Sequence, residues 1–222
     1  MQVMRKQGGF TLVEIAIVLV IIGLLLGGIL KGQEMITQAK IKNVIADMSG
    51  VSAAMYGYQD RYRALPGDDK LAASRWSGST AVTVGTTGNG LVEGAWTAAG
   101  SEAIIFWEHL RRAGFVSGTG AENPFNAVSG KMGVQTGDGT VTTPGGILSD
   151  GATPATTFTS LVLCSAGLPD KIAISVDAQM DDGLGKKGAV RAQKAPGNPV
   201  IAGTASDYTE DGVSTYVVCR QM

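Results

Sequence analysis

From Phe10 to Leu30 the chain runs for 21 residues with Thr11 and Glu14 as its only polar side chains. Wound as an α-helix at ~1.5 Å per residue, such a run covers about 30 Å, the thickness of the hydrocarbon core of a bilayer. Arg5 and Lys6 stand just ahead of it. Basic residues on one flank hold that flank in the cytoplasm, so the rest of the chain is expected to be exported. The run is longer than the apolar region of a secretory signal, and the "KGQEMITQAK" after it offers no small-residue cleavage site, so no cut is expected there. Glu14 is the anomaly. A charged side chain at bilayer depth costs about 2.5–3.5 kcal/mol on insertion scales, so it calls for a partner or a function.

Beyond Lys31 the apolar residues change period. Ile41, Val44, Met48, Val51, Met55, Tyr58 and Tyr62 recur at alternating intervals of 3 and 4, one face of a helix, while Lys40, Lys42, Asn43, Asp47, Gln59, Asp60 and Arg61 fill other positions. The same helix is therefore expected to continue to about Arg63, where "ALPGDD" stops it with Pro66 and Gly67, a rod of about 80 Å in all. Three heptads joined to a strand-rich domain predict the central helix of that domain's core rather than a coiled coil.

Composition bears on the region beyond the helix. Of the 32 glycines, many cluster with Ser, Thr and Ala between Ser74 and Pro154, which predicts a loop-rich domain. Within it "SEAIIFWEHLRRAGF" reads as a helix with Ser101 as N-cap, Ile105, Phe106 and Leu110 on its apolar face, and Gly114 as its stop. "TSLVLC", "KIAISVD" and "VSTYVVC" read as three strands of an antiparallel sheet packed on the first helix. The expected fold class is α+β. Cys164 and Cys219 end two β-like runs with 54 residues between them. In an exported domain they are expected to pair, and closing such a loop is worth about 4 kcal/mol in the chain-entropy account.

Little in the chain recommends catalysis. The net charge of −1 predicts neither a nucleic-acid footprint nor an acidic tail. There is no G-x-S-x-G or Walker A sequence and no Cys/His cluster for zinc. The single histidine, His109, falls on the amphipathic second helix, where packing or surface exposure explains it. "DAQMDDGLGKKG" begins like an EF-hand loop but places Asp182 where glycine is needed and Gly188 where glutamate is needed, so a solvated turn is the expected reading. "YQDRYRALPGDD" is likewise read as a turn closing the long helix.

"KQGGFTLVEIAIVLVIIGLLL" resembles the class III signal of type IV pilins and their pseudopilin relatives: a short basic leader, Gly, Phe, then Thr-Leu-Val-Glu opening a hydrophobic helix. The resemblance is specific from Gly9 to about Leu30, looser to about Tyr62, and architectural beyond. It implies a type IV pilin-like fold in four parts: a leader over 1–9 that is removed, a transmembrane and filament-core helix over 10–30, its amphipathic continuation over 31–63, and a globular head over 64–222. It implies that prepilin peptidase cuts between Gly9 and Phe10, that Phe10 is then N-methylated, and that Glu14 neutralises the terminal ammonium of a neighbouring subunit. Two unit charges about 4 Å apart attract by about 4 kcal/mol at an effective dielectric near 20, comparable with the insertion cost of one of them.

The partners so implied are further copies of the chain in a homopolymeric filament, prepilin peptidase, the membrane before assembly, and inner-membrane pilus or secretion machinery. The implied location is the bacterial inner membrane, as a single-pass precursor with a periplasmic head, and then a cell-surface filament. No cofactor is implied, although a calcium loop of the kind found in some pseudopilins would have Asp177, Asp181 and Asp182, or Asp207, Glu210 and Asp211, to draw on. Major pilin, minor pilin, secretion pseudopilin and a membrane-anchored adhesive domain that never polymerises all remain open, as does DNA binding. One departure is that Lys31 stands where many major pilins carry a proline. Gly23, Gly27 and Gly28 offer either another route to local unwinding or close helix packing.

Overall fold

The computed structural model describes residues 9, 11–137, 147–152, 156–195 and 204–222. Its first element, α1 (Leu12–Tyr62), is one helix of 51 residues. Every described side chain from Thr11 to Lys31 is exposed, so the apolar run finds no cover within its own fold. Farther along, Ile41, Val44, Met48, Val51, Ala54, Met55 and Tyr58 are buried and Tyr62 is half-buried. This is the face set by the 3,4 spacing, with Ala54 added because it sits between Val51 and Tyr58 on the same stripe. Contacts divide the chain into two compact units, Met1–Ala39 and Lys40–Met222. The helix ends where Arg63 turns left-handed (φ 54) and donates its N–H to Gln59 O at 2.8 Å. Gly67 comes next at φ 90, and a Cβ there would come within 2.5 Å of the Glu102 carbonyl oxygen. Only glycine fits.

The second unit continues with α2 (Ala72–Arg75), α3 (Glu102–Arg112), β1 (Met132–Thr136), β2 (Leu161–Pro169), α4 (Asp170–Met180), β3 (Val190–Lys194) and β4 (Thr215–Gln221). At the start of α3, Ser101 Oγ accepts the Ile104 N–H at 3.3 Å, and Gly114 lies at φ 79 beyond its end, both as the sequence predicts. The four strands form one antiparallel sheet in the order β1-β2-β4-β3. Burial runs almost unbroken along β2 and β4 instead of alternating, so both faces of the central strands are covered. α4 packs against β2, β3 and β4, and α3 against β1. The buried stripe of α1 joins the same core as Trp96, Phe106, Trp107 and Tyr216. The fold is α+β.

One element differs from its expected type. "KIAISVD" is not a strand; it forms most of α4. Pro169 ends β2 because it has no N–H for the ladder, and its φ of −55 suits a helix entrance. Asp170 then sits at the positive end of the helix, accepting the N–H groups of Lys171 at 2.7 Å and Gly212 at 2.6 Å. Ile172, Ala173 and Val176 form a buried helical stripe. The third and fourth members of the sheet are β1 and β3, which the sequence pattern does not announce. Cys164 and Cys219 face each other across β2 and β4 and form a disulfide, with Cα atoms 4.0 Å apart.

Candidate functional site

At the amino-terminal end of α1, two residues satisfy each other. Thr11 Oγ1 accepts the Glu14 N–H at 3.3 Å, while Glu14 Oε2 accepts from the Thr11 N–H at 2.7 Å and from its hydroxyl at 2.8 Å. This is a capping box: Thr-Leu-Val-Glu supplies a Thr N-cap and a Glu at the third helical position, which serve otherwise orphaned N–H groups reciprocally. The carboxylate that looked unpaired in the apolar run is therefore held by its own helix. Reading Glu14 only as a charge in lipid overlooked Thr11, although the T-x-x-E spacing was visible in the sequence. Both donors fall on Oε2, leaving Oε1 outside the cap. Just ahead, Gly9 is exposed, with nothing among the described residues within 4 Å of where a Cβ would stand. Phe10 lies outside the described residues.

The other candidate residues serve the head. His109 is buried, accepts the Gly67 N–H on Nδ1 at 2.9 Å, and stacks on Tyr58 with centroids 6.2 Å apart. Burial pushes its pKa down to about 4, with Arg75 and Arg112 adding to the effect and Glu108 opposing it. A neutral ring is what the accepted hydrogen bond requires, so His109 ties the turn after α1 to α3.

Asp177, Asp181 and Asp182 do converge: oxygens from the three lie within 4.8 Å of one another. Each is already engaged by its surroundings. Asp177 accepts from Tyr208 Oη at 2.7 Å and Gly183 N at 3.3 Å, Asp181 from Val190 N at 3.0 Å, and Asp182 from Leu184 N at 2.9 Å. Burial, augmented by the two neighbouring acids, pushes Asp177 up to about 6 against those hydrogen bonds. The second acidic set does not gather: Asp207 pairs with Lys186, Glu210 with Lys171 and Asp211 with Lys194.

Residues 4–30 match the family signature described as the prokaryotic N-terminal methylation motif. The segment is of the prepilin type. That prepilin-type segment spans Gly9, the Thr11–Glu14 capping box and the exposed apolar part of α1, so the residues singled out by sequence and by geometry coincide. Among solved structures, the chain is similar to the major type IV pilin PilA1 from Clostridium difficile, with 14% identity over 82% of this chain and 96% of that one. The TM-score is 0.33, too low an overlap to argue from. No curated protein matches the chain in sequence.

Proposed function

We propose that the chain is a structural subunit of a type IV pilus-like filament, cut by prepilin peptidase between Gly9 and Phe10, N-methylated at Phe10, and polymerised through the apolar half of α1. The observation that carries this reading is the coincidence of the methylation motif over residues 4–30 with a helix whose first half is exposed and apolar and whose second half is core. Such a helix needs lipid before assembly and other copies after it. By length and composition α1 can cross a membrane. The Thr11–Glu14 cap supports the assembly role of Glu14, because it orients one carboxylate oxygen while the other is left for a neighbour's terminal ammonium. In this reading the protein is a structural component, not an enzyme. The donors already gathered on Asp177, Asp181 and Asp182 support a loop-closing role for that cluster over a calcium loop.

Mass spectrometry of the mature chain should find an amino terminus at methylated Phe10; an intact Met1 terminus in extracted filaments overturns the proposal. Glu14→Ala should abolish assembly with membrane insertion unchanged. If Glu14→Ala is silent, a membrane-anchored domain that never polymerises is the better reading. The share of this chain in sheared filaments separates a major subunit from a minor pilin or a secretion pseudopilin.

A further inference from the structure

Outside the amino-terminal segment, one cluster in the head has no role in that reading. Glu102, at the start of α3, has no exposed surface. Its Oε2 accepts the Glu93 N–H at 2.8 Å, while its Oε1 is buried without a hydrogen-bond partner among the described residues. A buried acceptor left bare costs more than its bond would gain, and a bare charge costs still more. The charges that bear on it are Asp68, from the turn after α1, and Glu93, from the facing loop, and both are acidic. Burial first, and those two carboxylates next, push Glu102 up to about 7 against the Glu93 N–H.

The same loop is tied to Asp68. The Asp68 carboxylate accepts the N–H groups of Gly88, Asn89 at 3.1 Å and Gly90 at 2.7 Å, and Glu93 accepts Thr86 N–H at 2.7 Å. At Gly85 a Cβ would come within 2.8 Å of the Glu102 side chain, so the backbone lies directly against it. Gly88 and Gly90 also form a wall of a cavity of about 490 Å³, together with Tyr62, Arg63, Asp68 and Lys70. A metal does not fit here as well as a proton does: Asp68 has both oxygens filled by N–H donors, and the Asp68, Glu93 and Glu102 set is not among the groups of acids whose ligand atoms lie within 4.8 Å of one another.

We propose that Glu102 is a proton-operated latch: protonated, it lets the 84–93 loop close over Asp68 beside this cavity, and ionised, it repels Asp68 and Glu93 and releases the loop. The proton belongs on Oε1, the oxygen without a donor. No bond other than O–H is made or broken, and the proton goes to solvent. The latch needs no occupant in the opened cavity, and it works whether or not the chain polymerises.

Hydrogen exchange on the full-length chain in detergent micelles tests it. From about pH 5.5 to pH 8, protection of the Gly88, Asn89 and Gly90 amides, corrected for intrinsic rate, should fall on the order of tenfold, and Glu102→Gln should abolish the fall. Protection that stays level in the native chain, or that falls equally in Glu102→Gln, overturns the proposal. Should the variant not fold, carbon-13 titration of the native Glu102 carboxyl decides: a midpoint near neutrality supports the latch, and one near 4.5, the ordinary glutamate value, overturns it.

Discussion

Glu14 shows how one carboxylate can serve two ends. In the single chain it caps α1 with Thr11; in the proposed filament it also meets a neighbour's ammonium. Replacing Thr11 by Val keeps the shape and removes the hydroxyl, so the first turn should fray at a cost of about 1 kcal/mol. Amide exchange of Val13 and Glu14 in micelles would show it as faster exchange confined to that turn. Two other residues act on stability in opposite directions. His109 is held down at about 4, below its unfolded value near 6.5, so its contribution is complete above pH ~6.5 and is lost as pH falls through about 4. Glu102 is held up at about 7, so its contribution is complete below pH ~4.5 and is lost as pH rises through about 7. Asp177, held up at about 6, adds to the Glu102 direction, so thermal melting midpoints of the native chain should fall as pH rises across this range. Glu102→Gln should flatten that fall, because Asp177 and His109 then oppose each other, and His109→Gln should steepen it.

At the scale of elements, the sequence was most legible where a period ran long. The seven-residue face of α1, the Ser101 cap and the Gly114 stop of α3, and the cores of β2 and β4 all lie where their residues place them. The short pieces were not legible, for a physical reason. β1 is five residues containing a glycine, and β3 is five residues containing Arg191 and Lys194; each alternates over a single apolar pair, Met132/Val134 and Val190/Ala192, too short a pattern to stand out, and both are made strands by their neighbours. α4 misled because Ile172, Ile174 and Val176 alternate as a strand would, while Pro169-Asp170 marks a helix entrance. β1 also hides a packing constraint: a Cβ on Gly133 would overlap the Trp96 ring, which is fully buried. Gly133→Ala should cost about 2–3 kcal/mol or more, read as a lowered melting midpoint with the indole environment changed in near-UV circular dichroism. Removing both cysteines as serines should cost about 4 kcal/mol if the loop-closure account holds.

At the scale of the whole molecule, the chain changes its use partway along one helix. Hydropathy made that division legible, since the apolar run and the 3,4 stripe meet in the thirties, but the boundary drawn by contacts, between Ala39 and Lys40, comes several residues after Lys31. Residues 31–39 are polar enough to leave the lipid yet bury nothing, a distinction composition does not record. The Glu102 latch was not legible either: an acidic residue opening a helix is ordinary, and only the approach of Asp68 and the 84–93 loop buries it. The division makes two truncations informative. A chain beginning at Lys40 keeps every buried residue of α1 and should be soluble without detergent, with the melting midpoint of the full chain's head. A chain beginning at Arg63 loses the buried Ile41, Val44, Met48, Val51, Ala54, Met55 and Tyr58. At about 1.5–3 kcal/mol for each large apolar side chain, that loss is as large as the ~5–15 kcal/mol that holds a typical domain folded. It should show no cooperative melt by circular dichroism, and a sharp transition in that shorter chain would mean that the sheet and its two packed helices form a core of their own.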